Sequence, residues 1–183
     1  AERWEQQGYQ VVWQTGKGYV EASKKRVSSL KHVQAHEFIR EMDLAYAAAD
    51  VVVSRAGAMS ISELCLVAKP SIFVPSPNVS EDHQTKNAMA LVNKQAALLV
   101  RDTEARALLG DAVSALLADE QQCKKLAQAM GALAQNHAAE RIVDEVKKLV
   151  NGRGVTLDIE GSVIDYLAEV GWDPEYGGRP VRR

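Results

Sequence analysis

The residues best suited to chemistry form one run, Ser54-Arg55-Ala56-Gly57-Ala58-Met59-Ser60-Ile61-Ser62-Glu63, between an apolar stretch and a helical pattern. Gly57 permits a tight turn and close backbone approach. The N–H groups of Ala58, Met59 and Ser60 would then face a ligand at a helix start, where the helix dipole favours negative charge such as a diphosphate. The same run contains Ser60-Ile61-Ser62-Glu63, an S-x-x-E capping box, which stabilises a helix start by about 0.5–2 kcal/mol with no ligand. Local pattern alone puts the cap slightly ahead of the binding role.

Three further segments carry polar or backbone groups of the right kind. Gln14-Thr15-Gly16-Lys17-Gly18 is not a phosphate-binding P-loop: no glycine stands five residues before Gly16, and no Ser or Thr follows Lys17. In Glu37-Phe38-Ile39-Arg40-Glu41-Met42 the apolar pair suits either a base edge or the core. The segment from Pro75 to Asn87 ends in Glu81-Asp82-His83-Gln84-Thr85-Lys86-Asn87. Its amides and hydroxyl suit a neutral polyol such as a sugar, since Gln and Asn both donate and accept. Asp82 as a helix N-cap, and Gln84 and Asn87 on a solvated helix face, carry equal weight.

Catalytic groups are harder to find. His32, His36, His83 and His137 are scattered, and Cys65 and Cys123 lie far apart in helix-like contexts, outside any metal-ligand spacing. No carboxylate pair is placed as an acid/base couple, so the sequence offers no catalytic residue and no metal site, and favours binding over self-contained catalysis.

The elements that must position these residues alternate. Residues 9–13, 33–36, 51–54, 71–74 and 97–100 read as strands, nearly continuous in apolar residues as parallel strands covered on both faces require. Helical patterns occupy 19–29, 41–49, 60–68 and 83–94. This predicts an α/β fold with an open, Rossmann-like parallel sheet, whose ligands bind beyond the carboxyl ends of the strands. Ala- and Leu-rich stripes over 104–117, 119–134 and 138–150 then predict a helical cover. The start reads as the end of a helix stopped by Gly8, so the chain is expected to begin in the middle of something. A turn-like stretch at 151–154 suggests a domain boundary near 151, followed by a small α+β tail with a β-like run (155–159) and a helix (162–170).

Composition sets the outer limits. The chain has 183 residues, 46% of them hydrophobic and 25% charged, and a formal charge of -2, which gives no reason to expect a nucleic-acid partner. Two reduced, packed thiols suit a cytosolic protein. No apolar run approaches a membrane span.

In order and spacing, WQTGKGY (13–19), EFIREM (37–42), ADVVVSRAGAMSISEL (49–64) and KPSIFVPSPNVSEDHQTKNAMAL (69–91) resemble the MurG family of GT-B glycosyltransferases. That family transfers GlcNAc from UDP-GlcNAc to lipid I to form lipid II in cell-wall synthesis. The motifs match its C-terminal, donor-binding domain over about residues 1–150. The resemblance implies that Ile39 meets the uracil through its backbone with Met42 nearby, and that Ala58, Met59 and Ser60 line the nucleotide and diphosphate. It further implies that Glu63 holds the ribose hydroxyls, that Gln84 and Asn87 bind the GlcNAc hydroxyls, and that no cofactor is needed. Thr85 falls near a position where some relatives carry a second Gln. The lipid I acceptor and the inner face of the plasma membrane would be met only through an N-terminal domain outside these residues, giving a cytoplasmic, peripheral location. The family's first donor-domain strand also has no counterpart here. Its absence would leave strands 9–13 and 51–54 without their shared neighbour, to be closed abnormally or by a strand shared between copies in a homo-oligomer.

Residues 152–183, and GWDPEYGGRPVRR in particular, are similar to the C-terminal small subdomain of ClpB-type AAA+ disaggregases. There Arg179 would match a nucleotide-sensing arginine, although Gly178 replaces the usual Ala and no Walker motif is present. The sequence thus reads as a chimera: a donor-binding fragment, inactive alone, or a non-catalytic UDP-sugar-binding or scaffold fragment with an AAA+-derived tail. A plain dinucleotide-binding domain is weakened because no strand is followed by G-x-G-x-x-G.

Overall fold

The structure, a computed structural model, describes residues 2–78, 82–152, 160–163 and 166. The chain divides into two compact units, residues 1–135 and 136–183. The first unit contains α1 (Glu2–Gln6), β1 (Val11–Gln14), α2 (Val20–Val27), β2 (Val33–His36), α3 (Met42–Ala48), β3 (Val52–Ser54) and α4 (Ala58–Val67). It continues with β4 (Ser71–Phe73), α5 (His83–Val92), β5 (Leu98–Leu99), α6 (Asp102–Ala118) and α7 (Glu120–Gly131). In the second unit α8 (Ala138–Asn151) carries Ile142, Val146 and Leu149 at helical spacing along an exposed face. The expected β-run 155–159 and most of the helix expected at 162–170 lie outside the described residues.

All strand pairs are parallel, as the alternation of strands and helices requires. They form two sheets: β1–β2, with Val11 opposite Val33, and β3–β4–β5, with Val52 opposite Ser71 and Ile72 opposite Leu98. β4 is buried on both faces, and its period-two alternation divides the core. Phe73 points into a cluster with Ala56, Leu64, Cys65, Ala88, Leu91 and Met130. Ile72 and Val74 point the other way, against Val113, Leu116 and Leu126 of the helical cover.

Among the described residues, no strand pairs with the second edge of β1 or of β3. Both strands are apolar, yet Val12, Trp13 and Val53 remain 57, 40 and 41% exposed, whereas parallel strands are normally covered on both faces. This is the gap expected between the strands near 9–13 and 51–54.

Local chemistry explains where the elements stop. Gly8 (φ +77) ends α1, and Ala68 in the left-handed region (φ 49) ends α4. A Cβ at Gly131 would stand 3.1 Å from the Ala68 Cβ, so glycine lets the end of α7 approach that turn. Lys69 Nζ donates to the carbonyls of Ala47 (3.0 Å) and Ala49 (2.8 Å), supplying positive charge at the carboxyl end of α3. α1 rests on α6 through polar links: Arg3 with Asp111 (2.6 Å), Trp4 Nε1–H to the Gly110 carbonyl (3.5 Å) and Ser114 Oγ–H to Gln7 Oε1 (3.0 Å).

Candidate functional site

The site must be sought at the carboxyl edge of the parallel strands, where loops and helix starts converge. β3 leads there into Arg55, Ala56 and Gly57. Gly57 is extended (φ -69, ψ 146) and α4 begins directly after it, with no side-chain cap. The N–H groups of Ala58, Met59 and Ser60 therefore form the open first turn of the helix. Ala58 and Met59 are exposed and Ser60 is half-buried.

The capping box expected at Ser60–Glu63 is not made. Because the helix starts at Ala58, Ser60 is its third residue and Glu63 lies beyond the first turn, too far along to reach back. Ser62 Oγ–H instead donates to the Ala58 carbonyl (2.9 Å). Glu63 is exposed, and its Oε2 accepts from the Tyr46 hydroxyl of α3 at 3.2 Å. Burial first, and then the neighbouring Glu63 carboxylate, push the Tyr46 phenol up to about 12. Tyr46 thus remains a hydrogen-bond donor to Glu63 at neutral pH.

Two amides expected either to contact a sugar or to face solvent are turned toward the loops. Gln84 Oε1 accepts from Ser76 N–H (2.9 Å), and Asn87 Nδ2 donates to the Ala56 carbonyl (3.2 Å). Both are half-buried, so the solvated-face expectation is corrected. These bonds tie the loops after β3 and β4 to α5. Asp82 occupies the N-cap position of α5 but in the left-handed region (φ 52), and its side chain makes no capping bond. The left-handed backbone departs from the extended geometry that aims a cap side chain at the helix.

Arg55, which the sequence offered only as one member of the loop, is the clamp of this edge. Its Nη1 donates to the carbonyls of Val74 (3.0 Å) and Pro75 (3.3 Å) and pairs with Asp102 at the start of α6. A lone arginine after an apolar strand carries no spacing signal that would reveal those partners.

The loop after β2 stands on the other sheet. Ile39 follows β2, is half-buried, and donates its N–H to Gln14 Oε1 at 2.8 Å. Val12, His36, Phe38, Ile39, Arg40, Glu41, Leu44 and Ala45 surround an open depression of about 390 Å³. Met42 opens α3 beside it but does not line it. A smaller depression of about 230 Å³ lies among Glu2, Arg3, Arg26 and Leu30, toward the amino-terminal edge of β1 and away from these loops. α3 bridges the larger depression to α4, since it contributes Leu44 and Ala45 to one and the Tyr46 contact with Glu63 to the other.

Nothing among the described residues forms a metal-binding group. Burial pushes both cysteine thiols up, and Cys65 packs against Met130, sulfur to sulfur at 3.5 Å, so neither thiol is primed as a nucleophile. Arg179 lies outside the described residues. No helix among the described residues is long and apolar enough to cross a membrane.

Comparison with known proteins places this arrangement in context. The glycosyltransferase family 28 C-terminal domain model matches residues 1–146, and the C-terminal, D2-small domain of ClpB protein matches residues 134–183. A protein of Porphyromonas gingivalis, named UDP-N-acetylglucosamine--N-acetylmuramyl-(pentapeptide) pyrophosphoryl-undecaprenol N-acetylglucosamine transferase, is 51% identical over 150 residues, covering 81% of this chain and 40% of that protein. A protein of the same name from Bacteroides thetaiotaomicron is 50% identical over 143 residues, covering 76% and 38%. The crystal structure of Acinetobacter baumannii MurG superimposes with a TM-score of 0.66 at 28% identity, over 75% of this chain and 40% of that one. The chain thus spans about two fifths of the length of the relatives it matches.

Proposed function

The chain belongs to the glycosyltransferase family 28 C-terminal domain family, and on that premise we propose that residues 1 to about 150 are the donor-binding part of an enzyme moving GlcNAc from UDP-GlcNAc to lipid I. The observation that carries this reading is the convergence of the open α4 amino terminus, Glu63, Gln84 and Asn87 at one edge of the parallel strands. The uracil meets the backbone of Ile39 with Met42 nearby. The diphosphate lies at the N–H groups of Ala58, Met59 and Ser60, and Glu63, oriented by Tyr46, takes the ribose hydroxyls. Gln84 and Asn87 turn their remaining polar atoms to the sugar.

In the transfer the bond from the sugar carbon to the diphosphate breaks, and negative charge grows on UDP as it leaves. Backbone N–H groups fixed at a helix start stabilise that charge without reorganising. The base that deprotonates the acceptor, the lipid I site and the contact with the inner face of the plasma membrane come from the remainder of a longer protein. So does the strand that completes the sheet between β1 and β3, unless two copies share one. The junction with the tail falls near residue 151. The match of residues 134–183 to the ClpB small domain favours a second reading, a chimeric scaffold that keeps the donor fold without the transfer.

Saturation-transfer NMR with UDP-GlcNAc and ATP in one tube separates the two. The donor reading expects transfer to the uracil and ribose protons, lost in Glu63→Ala. No transfer to a chain shown to be folded refutes it.

A further inference from the structure

The side chain that ends β1 deepens the donor-site reading and rests on it. The loops after β1 and β2 are zipped together by backbone bonds. Thr15 N–H and Thr15 Oγ–H both donate to the His36 carbonyl (2.9 and 3.1 Å), and Gly16 N–H donates to the Glu37 carbonyl (3.0 Å). These contacts end at residue 37. Gln14 reaches further, placing Oε1 2.8 Å from the Ile39 nitrogen in the wall of the larger depression.

The chemistry of that contact is specific. A carboxamide presents a carbonyl acceptor beside an N–H donor. The imide edge of uracil presents the same pair, a ring carbonyl beside a ring N–H, whereas cytosine offers an amino donor and a bare ring nitrogen there. Only the acceptor of such a pair can take the Ile39 N–H, and Gln14 now supplies it. Gln14 is exposed, so the amide has room to swing out.

We propose that Gln14 is a built-in stand-in for the uracil edge, occupying the Ile39 N–H in the unliganded protein and leaving when a uridine nucleotide arrives. The exchange keeps the N–H paired in both states, so the loop holds its shape between turnovers. It also makes the nucleotide compete with the side chain, which raises the apparent Kd by the ratio of engaged to disengaged Gln14. An ordinary net hydrogen bond sets that ratio at about fivefold. Cytosine presents an amino donor where uracil presents that carbonyl, so its ring nitrogen would have to shift register to take the Ile39 N–H, which favours uridine over cytidine nucleotides.

The test is calorimetric titration of UDP and CDP into this chain and its Gln14→Ala and Gln14→Leu variants, with the Ile39 amide followed by ¹⁵N–¹H NMR. Gln14→Leu keeps the bulk of the side chain should the alanine variant fail to fold. The proposal expects UDP to bind the variants about fivefold more tightly. It also expects the Ile39 cross-peak to be displaced in the unliganded variants, and to reach a common position in all proteins once UDP is bound. Equal or weaker UDP binding by the folded variants overturns it, because Gln14 would then support the loop rather than compete for it. UDP binding that leaves the Ile39 amide unmoved also overturns it, while sparing the donor-site reading. No saturable UDP binding by the unmodified chain refutes the donor reading, and this inference falls with it.

Discussion

Replacing Arg55 by Met keeps most of the aliphatic stem and removes every bond the guanidinium makes. Three acceptors share Nη1: the carbonyls of Val74 and Pro75, and the Asp102 carboxylate. One nitrogen carries two hydrogens, so two of these bonds can be well aligned at a time. The Arg55 and Asp102 side chains are 55 and 34% exposed, which puts their ion pair at about 0–1 kcal/mol. A charged donor to a partly buried carbonyl contributes about 1.5 kcal/mol net. Together these give an expected loss near 2 kcal/mol, read as a lower urea midpoint at unchanged m-value. Asp102 also stands in the first turn of α6 and interacts with that helix dipole, so Asp102→Asn alone would mix two effects. A double-mutant cycle isolates the pair, and its coupling energy should stay below about 1 kcal/mol and shrink in about 1 M salt. The carbonyl contribution should survive salt. An Arg55→Met loss under about 0.5 kcal/mol, or one abolished by salt, would refute the clamp.

Phe73 is fully buried on one face of β4, so Phe73→Ala should cost about 3–5 kcal/mol in urea unfolding, and a loss below about 1.5 kcal/mol would contradict the divided core. The Tyr46 phenol, held at about 12, favours its protonated form in the fold; its contribution to stability is intact below pH 10 and disappears as pH rises toward 12. In Glu63→Gln, NMR titration of the Tyr46 ring should show a lower pKa that stays above 10, because burial is the larger cause. A pKa unchanged from about 12 would mean the two side chains do not interact.

The strands were readable because parallel strands buried on both faces are written as short apolar runs, and β2, β3 and β4 fall within a residue of the expected spans. The helical pattern from residue 60 understates α4, because Gly57 lets the chain enter the helix two residues earlier, at Ala58. Contacts between elements were less legible. Nothing local to Tyr46, Arg55 or Gln14 announces that their partners are Glu63, the Val74 carbonyl and Ile39 N–H. Those partners are fixed by the parallel crossovers, which set loops from different strands side by side at one edge. The gap beside β1 and β3 followed from comparing motifs with a family pattern, since the apolar content of Val12, Trp13 and Val53 alone predicts burial.

The three strands of the larger sheet lie side by side in the order in which they are synthesised, and so do the two of the smaller one. Each pairing therefore closes only its own crossover, a modest entropic toll at every step. Such a domain can assemble vectorially as it leaves the ribosome, β4 docking on β3 and β5 on β4, with β1 and β2 already joined. Two packings depart from that order: α7 on α4, where Met130 meets Cys65, and α1 on α6. Trp4 and Gln7 meet Gly110 and Ser114 across 106 and 107 positions of sequence, so α1 must wait for α6 before it can be anchored. The contacts that wait combine exposed polar links with the packing of Trp4 against the core cluster of Val113 and Leu116, so this seam closes late and gives the β1–β2 pair its own threshold for local opening.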